Sequence, residues 1–429
     1  MNASDRVRTR FDVVIVGGGF AGISVAARLR RRRPGLSIAV VEPSDRHYYQ
    51  PAWTLVGGGA YDIARTCRDQ ASMIPSGVRW IRARCTGFEP SLNIIQLGEG
   101  GAVGYRMLVV AAGLQLDWDR IEGLAATLGE NGVTSNYDYA YAPYTWECIR
   151  NWRGGRAVFT QPLPPFKCAG APQKILYLAA DHWRRRGLTA EIEFYNAGGA
   201  MFSVPFFSAA LDEVMAYYDA RAHTARTLVA VEGPARKAWF ETTRDGQVQR
   251  EQISFDLLHV VPPQSAPAFI RASALADAAG WVEVDKETLQ HARYENIFSL
   301  GDVCSAPTSK TAAAVKNQIP VVAGNLLRVL EGEGELARYD GYASCPLVTS
   351  RGKVMLAEFR YGGEVTPSFP LEPRVPRRLY WWLKKFFLPH LYWDWLTRGR
   401  GFPQTHKPRR FKAALPSTAL HRHPARARR

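Results

Sequence analysis

The 429-residue chain lacks any C-x-x-C or C-x-x-x-x-C pair. Its six cysteines, Cys67, Cys85, Cys148, Cys168, Cys304 and Cys345, are scattered, which argues against a zinc site and a disulfide framework; any thiol in use is used for reactivity. No metal is expected. No run of about 18 apolar residues occurs, so no membrane-spanning helix is expected. The opening "MNASDRVRTR" has no apolar h-region or small-residue cleavage site, so no secretory signal is read. Beyond Leu396 there is no Asp or Glu, while ten basic residues from Arg398 to Arg429 supply much of the net charge of +16. No helix-turn-helix, zinc-finger or RNA-binding aromatic signature accompanies that charge, so nucleic acid is not an expected partner.

What is present is globular, with 46% hydrophobic residues and a length that implies more than one core. "FDVVIVGGGFAGISVAARLRRRRPGLSIAVVEP" holds an apolar strand, Phe11 to Val16, a glycine turn, a helical pattern from Ala21 to Arg31, and a second strand ending at Glu42. In that context Gly17, Gly19 and Gly22 read as a dinucleotide fingerprint. Gly17 permits the turn, Gly19 lets the backbone approach a pyrophosphate, and Gly22 brings helix and strand together. The helix N-terminus, with Phe20 and Ala21, holds the phosphates, and Glu42 accepts from an adenosine ribose. The expected fold class is therefore α/β, with two tandem Rossmann-like domains and a C-terminal amphipathic helical region.

Two further segments, "YRMLVVAAGLQLDW" with Ala112 and Gly113, and "NIFSLGDVC" with Gly301 and Asp302, resemble signatures of the FAD-binding two-dinucleotide-domain oxidoreductases. The resemblance implies FAD, with Asp302 on its ribityl chain. A second module starts at "GGRAVFTQ" and continues into a helical pattern from Gln173 to His182. Its glycine fingerprint is missing. A proline cluster unable to donate N–H bonds stands there instead, followed by Cys168.

Cys168 precedes a helix N-terminus and lies between Lys167 and Lys174, two features that favour a thiolate. Its partner candidate, Cys345, is far away in sequence. "HYYQPAWTLVGGG" (47–59), "KCAGAPQK" (167–174), "PTSKTAAAV" (307–315) and "YASCPLVT" (342–349) resemble the eukaryote-type sulfide:quinone oxidoreductases, over about residues 11–395. The resemblance implies that Cys168 and Cys345 form a redox pair facing the flavin, that sulfide leaves a persulfide on Cys345, that the Cys168 thiolate reduces FAD, and that quinone reoxidises it. It places Gln50 and Pro51 in a flavin-covering loop and Lys310 at a helix start under the isoalloxazine. The other four cysteines are expected to be structural, although Cys304, two residues from Asp302, lies within approach of the flavin.

"RRLYWWLKKFFLPHLYWDWLTRGR" interleaves Trp381, Trp382, Phe386, Phe387, Tyr392, Trp393 and Trp395 with arginines and lysines. It reads as two short amphipathic helices, broken at Pro389, lying in a lipid headgroup plane beside the quinone. The expected division is 1–115 and 291–330 for FAD, 116–290 for the second module, 331–396 for the redox cysteine and membrane attachment, and 397–429 as a flexible basic tail. The expected location is peripheral on a respiratory membrane, the cytoplasmic side of a bacterial inner membrane. A small nucleophile such as glutathione, sulfite or cyanide takes the sulfur, unless it leaves as polysulfide. Homo-oligomerisation stays open. The alternatives are an NADH:quinone-type or flavocytochrome-type dehydrogenase, or a flavin-containing sulfur sensor without quinone turnover.

Overall fold

The computed structural model describes residues 7–401. Strand β1 (Val7–Val16), helix α1 (Phe20–Arg32) and strand β2 (Ile38–Val41) form a right-at-the-start βαβ unit whose strands pair in parallel, Val13 opposite Ile38. Strand β3 (Ala102–Val110) lies parallel on the other side of β1. The sheet has seven strands, in the order 78–81, β2, β1, β3, 94–97 and 85–89, and Ile297–Ser299 also joins β3. The last four residues of β1, Val13–Val16, are apolar without alternation because both faces are covered there: Val13 and Ile15 enter one core, Val14 and Val16 another.

Strand β4 (Arg156–Gln161) belongs to a second, all-parallel sheet with Leu257–His259 on one side and Glu191–Asn196 on the other. Helix α2 (Ala171–Arg185) follows it and is buried along most of its length, extending beyond the predicted span at both ends. A three-stranded antiparallel sheet, 227–254, closes the core behind Val158, Tyr195 and Leu258.

Helix α3 (Ala312–Glu331) starts where the Thr311 hydroxyl accepts the Ala314 N–H, and it packs in the same core as α1. An antiparallel hairpin, β5 (Ala343–Ser350) and β6 (Lys353–Phe359), then lays Cys345 and Leu347 into the core that contains α2. No helix among the described residues is long and apolar enough to cross a membrane.

Candidate active site

The loop between β4 and α2 carries Cys168 in the left-handed region, φ +55°, a conformation that L residues other than Asn and Asp seldom adopt. Two backbone bonds hold it there. The Cys168 N–H donates to Lys310 O at 2.9 Å, and its carbonyl accepts the Ala171 N–H at 2.7 Å. Cys345, 1% exposed, approaches from β5, and the two Sγ atoms stand 3.5 Å apart. Gly170 makes this approach possible. A Cβ there would overlap the Leu347 side chain and lie 2.9 Å from Cys345 Sγ.

The two thiols are electrostatically unequal. The hydrogen bond from Cys345, aided by Lys174, holds the Cys168 thiol well below its ordinary value against the opposing effect of burial. The same bond and burial push Cys345 well above. Lys174 is itself buried, with Nζ 3.0 Å from Cys168 Sγ. Burial alone would lower its pKa, but the neighbouring sulfurs outweigh this and raise it. Two more lysines border the pair. Lys167 donates to Gln50 Oε1 at 2.7 Å, and burial pushes it down to about 8. Lys384 donates to Pro51 O at 3.3 Å and is likewise pushed to about 8, by burial and then by Lys174. Gln50 and Pro51 thus link the first module to the lysines around the thiols.

At the first loop, Gly17 has φ +105°, and a Cβ there would overlap the Ala111 carbonyl; one on Gly22 would overlap Gly17 O. Gly19 differs: it is exposed, and a Cβ there would meet nothing within 4 Å. Open space thus lies over the N-terminus of α1, as a pyrophosphate requires. The Glu42 carboxylate accepts the Gly18 N–H at 2.7 Å and the Ser44 N–H at 2.8 Å, so it also fixes the loop. Gly113, at φ +69°, is open too. Gly301, φ +79°, donates its N–H to Gln318 Oε1 at 2.9 Å. Asp302 lines a narrow cavity with Gly301, Cys304, Lys310 and Thr311, and burial raises its carboxyl against the pull of Lys310 and Lys167. These open glycine surfaces, with an acid in the turn Gly301–Val303 beside the N-terminus of α3, fit a dinucleotide cofactor. Lys310 is committed inward: Nζ donates to Asp302 O at 2.5 Å and Cys304 O at 3.2 Å, and lies 3.8 Å from the Trp281 ring centroid. Cys304 is buried, its Sγ bonded to Gly301 O at 3.2 Å.

Residues 11–142 match the family described as pyridine nucleotide-disulphide oxidoreductase. A mitochondrial sulfide:quinone oxidoreductase of Dictyostelium discoideum is 43% identical over 395 residues, which cover 91% of this chain and 86% of that protein. This chain belongs to the sulfide:quinone oxidoreductase family. A second mitochondrial sulfide:quinone oxidoreductase, from Mus musculus, is 40% identical over 91% of this chain and 87% of its own. The fold is shared with the sulfide:quinone oxidoreductase structure from Aquifex aeolicus, TM-score 0.74 at 18% identity, covering 91% of this chain and 92% of that one. Family membership makes the chain an oxidoreductase.

The C-terminal segment of this sulfide:quinone oxidoreductase family member departs from the expected pair of helices. It runs helically from Arg378 to Arg398, with π-helical turns at Leu383–Phe387 and Leu391–Trp395 on either side of Leu388–His390. Pro389 does not break it, because the widened turns absorb its missing N–H. Tyr392 and Trp393, expected at the lipid face, are each 4% exposed and pack against His47 and Tyr49. The Tyr392 hydroxyl meets His47 Nε2 at 2.7 Å, and His47 Nδ1 bonds Gly18 O at 3.1 Å, so this helix braces the glycine loop between β1 and α1. Trp382, Phe386 and Trp395 are exposed, whereas Trp381 and Phe387 are half-buried. Lys384, expected in a headgroup layer, points inward beside the thiols. Nothing in "LKKFF" distinguishes it from Lys385. Thr397 is buried and Gly399 packs on α1, so the chain is still docked there; residues 402–429 of the basic tail lie outside the described residues.

Proposed function

We propose that this chain oxidises sulfide at the Cys168–Cys345 pair and passes two electrons through FAD to a membrane quinone. The observation that carries the reading is the inequality of the two thiols. In disulfide exchange the sulfur with the lower pKa leaves faster, so HS⁻ attacks Cys345 and Cys168 departs as the thiolate. The disulfide bond breaks, a new S–S bond forms on Cys345, and the electron pair of the broken bond rests on Cys168 Sγ. Lys174, 3.0 Å from that sulfur, stabilises the charge, and Lys167 and Lys384 add to the field that draws HS⁻ in. Gly17, Gly19, Gly22, Glu42, Ala112, Gly113, Gly301 and Asp302 would hold FAD, which when bound would supply the two-electron acceptor between Cys168 and quinone. A small nucleophile such as glutathione, sulfite or cyanide, or a second sulfide, removes the outer sulfur from Cys345. Cys345 Sγ is then free to bond Cys168 again, and the sulfide sulfur has lost two electrons overall.

In this reading the segments 1–115 and 291–330 hold FAD, 116–290 presents Cys168, and 331–396 presents Cys345 and the exposed aromatics. The site is peripheral on a respiratory membrane, where Leu379, Trp382, Phe386 and Trp395 face lipid. The Dictyostelium discoideum and Mus musculus relatives, 40–43% identical, are named as mitochondrial, and they lend no support to a bacterial inner membrane. The test is quinone reduction by the purified protein with sulfide and with NADH as donors. Decylubiquinone turnover is expected with sulfide and not with NADH; turnover with NADH, or none with sulfide, overturns the proposal.

A further inference from the structure

At the end of α2 remote from the thiols, an open cavity of about 530 Å³ lies between α2, the β5–β6 turn and the C-terminal helix. From Lys174 to Arg185 the helix rises about 16 Å, so this is a separate place from the cysteine pair. Arg185, Arg351, Lys353 and Arg378 line it, beside Leu379 and Trp382. Only Arg185 is neutralised: its Nε pairs with Asp181 at 3.0 Å. Among the described residues, the side chains of Arg351, Lys353 and Arg378 form no hydrogen bond or ion pair. Like charges gathered around one hollow repel: burial first and then Arg378 lower the Lys353 ammonium, against the pull of Asp181. On the rim, Leu379 and Trp382 are 48% and 53% exposed.

We propose that this cavity binds the phosphate headgroup of an anionic membrane lipid, with the acyl chains lying along Leu379 and Trp382. The inference rests on the peripheral-membrane reading above and names the lipid class. A phosphodiester matches unpaired guanidinium groups, which take phosphate oxygens in pairs, and an attached hydrocarbon accounts for the apolar rim. A neutral quinone would bury the cations without return. A small sulfur acceptor bound here would stand too far from Cys345 to reach its persulfide.

The test is flotation with vesicles of phosphatidylcholine alone and of phosphatidylcholine with phosphatidylglycerol. It compares the whole chain, Arg351→Gln/Lys353→Gln/Arg378→Gln, and Arg409→Gln/Arg410→Gln/Lys412→Gln, which removes equal charge from the tail. The cavity variant is expected to lose about tenfold or more of its preference for the anionic vesicles. It should keep its binding to neutral vesicles and its sulfide turnover with a soluble quinone in detergent. The tail variant is expected to lose less. An unchanged preference in the cavity variant, or an equal loss in the tail variant, overturns the site. Displacement by inorganic phosphate at the same concentration as the lipid headgroup overturns the lipid assignment. If the wild-type chain binds neither vesicle, the peripheral reading itself fails, a result distinct from loss of the anionic preference alone. Arg378→Gln by itself repeats the comparison should the triple variant fold poorly.

Discussion

The two β-loop-α units of this molecule start alike and end differently. In each, a buried parallel strand runs into a loop containing a residue at positive φ, Gly17 at +105° in the first and Cys168 at +55° in the second, and a helix follows. In the first, glycines clear the helix N-terminus and leave space over Gly19. In the second, Gly170 clears a space as well, but Cys345 and Leu347 from β5 fill it. The same local geometry that admits a phosphate admits a thiol pair once prolines replace the N–H donors and a hairpin closes from above. What decides between them is the side of the loop that the rest of the chain leaves open.

The sharpest way to break the comparison is Gly17→Ala. The new Cβ collides with the Ala111 carbonyl, so the purified protein should lose its flavin absorbance and all quinone turnover, while Cys168 still reacts with a thiol reagent. Retained flavin would show that the first loop is not the cradle. Gly170→Ala should do the converse: flavin stays bound, but Leu347 and Cys345 are pushed back, and turnover falls about 100-fold, the usual cost of misplacing reacting atoms by an ångström. Lys174→Met comes next. Without its ammonium the Cys168 pKa rises, so turnover at neutral pH should drop about tenfold and recover as pH is raised, in step with thiolate absorbance. A drop that no pH restores would assign Lys174 a packing role only.

The smallest effect concerns a histidine buried behind each unit. His47 braces the first loop, and burial pushes it down to about 4; His259, against Asn136 behind the second, is pushed to about 3. Both values lie below the ordinary 6.5, so between there and the folded values the unfolded chain binds protons that the folded chain does not. Stability is therefore full above pH 6.5 and is lost on acidification, each histidine contributing about 1.4 kcal/mol per pH unit. Thermal melts from pH 6.5 to 4.5 should show this slope, and His47→Gln should remove its own share of it. An unchanged slope would mean that His47 is already protonated in the fold.

The first unit was legible because strand, glycines, helix and acid all fall within one local stretch, and each residue type has a single physical use there. Cys168 was legible for the same reason, through a helix start and two flanking lysines. The approach of Cys345 was not, since 177 residues separate the two and no local pattern marks a strand cysteine as a neighbour of that loop; only the resemblance named the pair. The C-terminal helix misled at three positions. Lys384, Tyr392 and Trp393 have the composition of a membrane face, yet tertiary contacts turn them inward, toward Pro51 and His47, and only the packed chain records that choice. Lys310 showed the reverse: its helix start was legible, but not that its ammonium is spent on the carbonyls of Asp302 and Cys304.

The unequal thiols are the centre of the account, and one measurement addresses them directly. The oxidised protein is mixed anaerobically with one equivalent of sulfide, alkylated at once, and its persulfide located by peptide mass spectrometry. The account predicts the extra sulfur on Cys345, with Cys168 alkylated as a free thiolate. Extra sulfur on Cys168, or on neither cysteine, would contradict it.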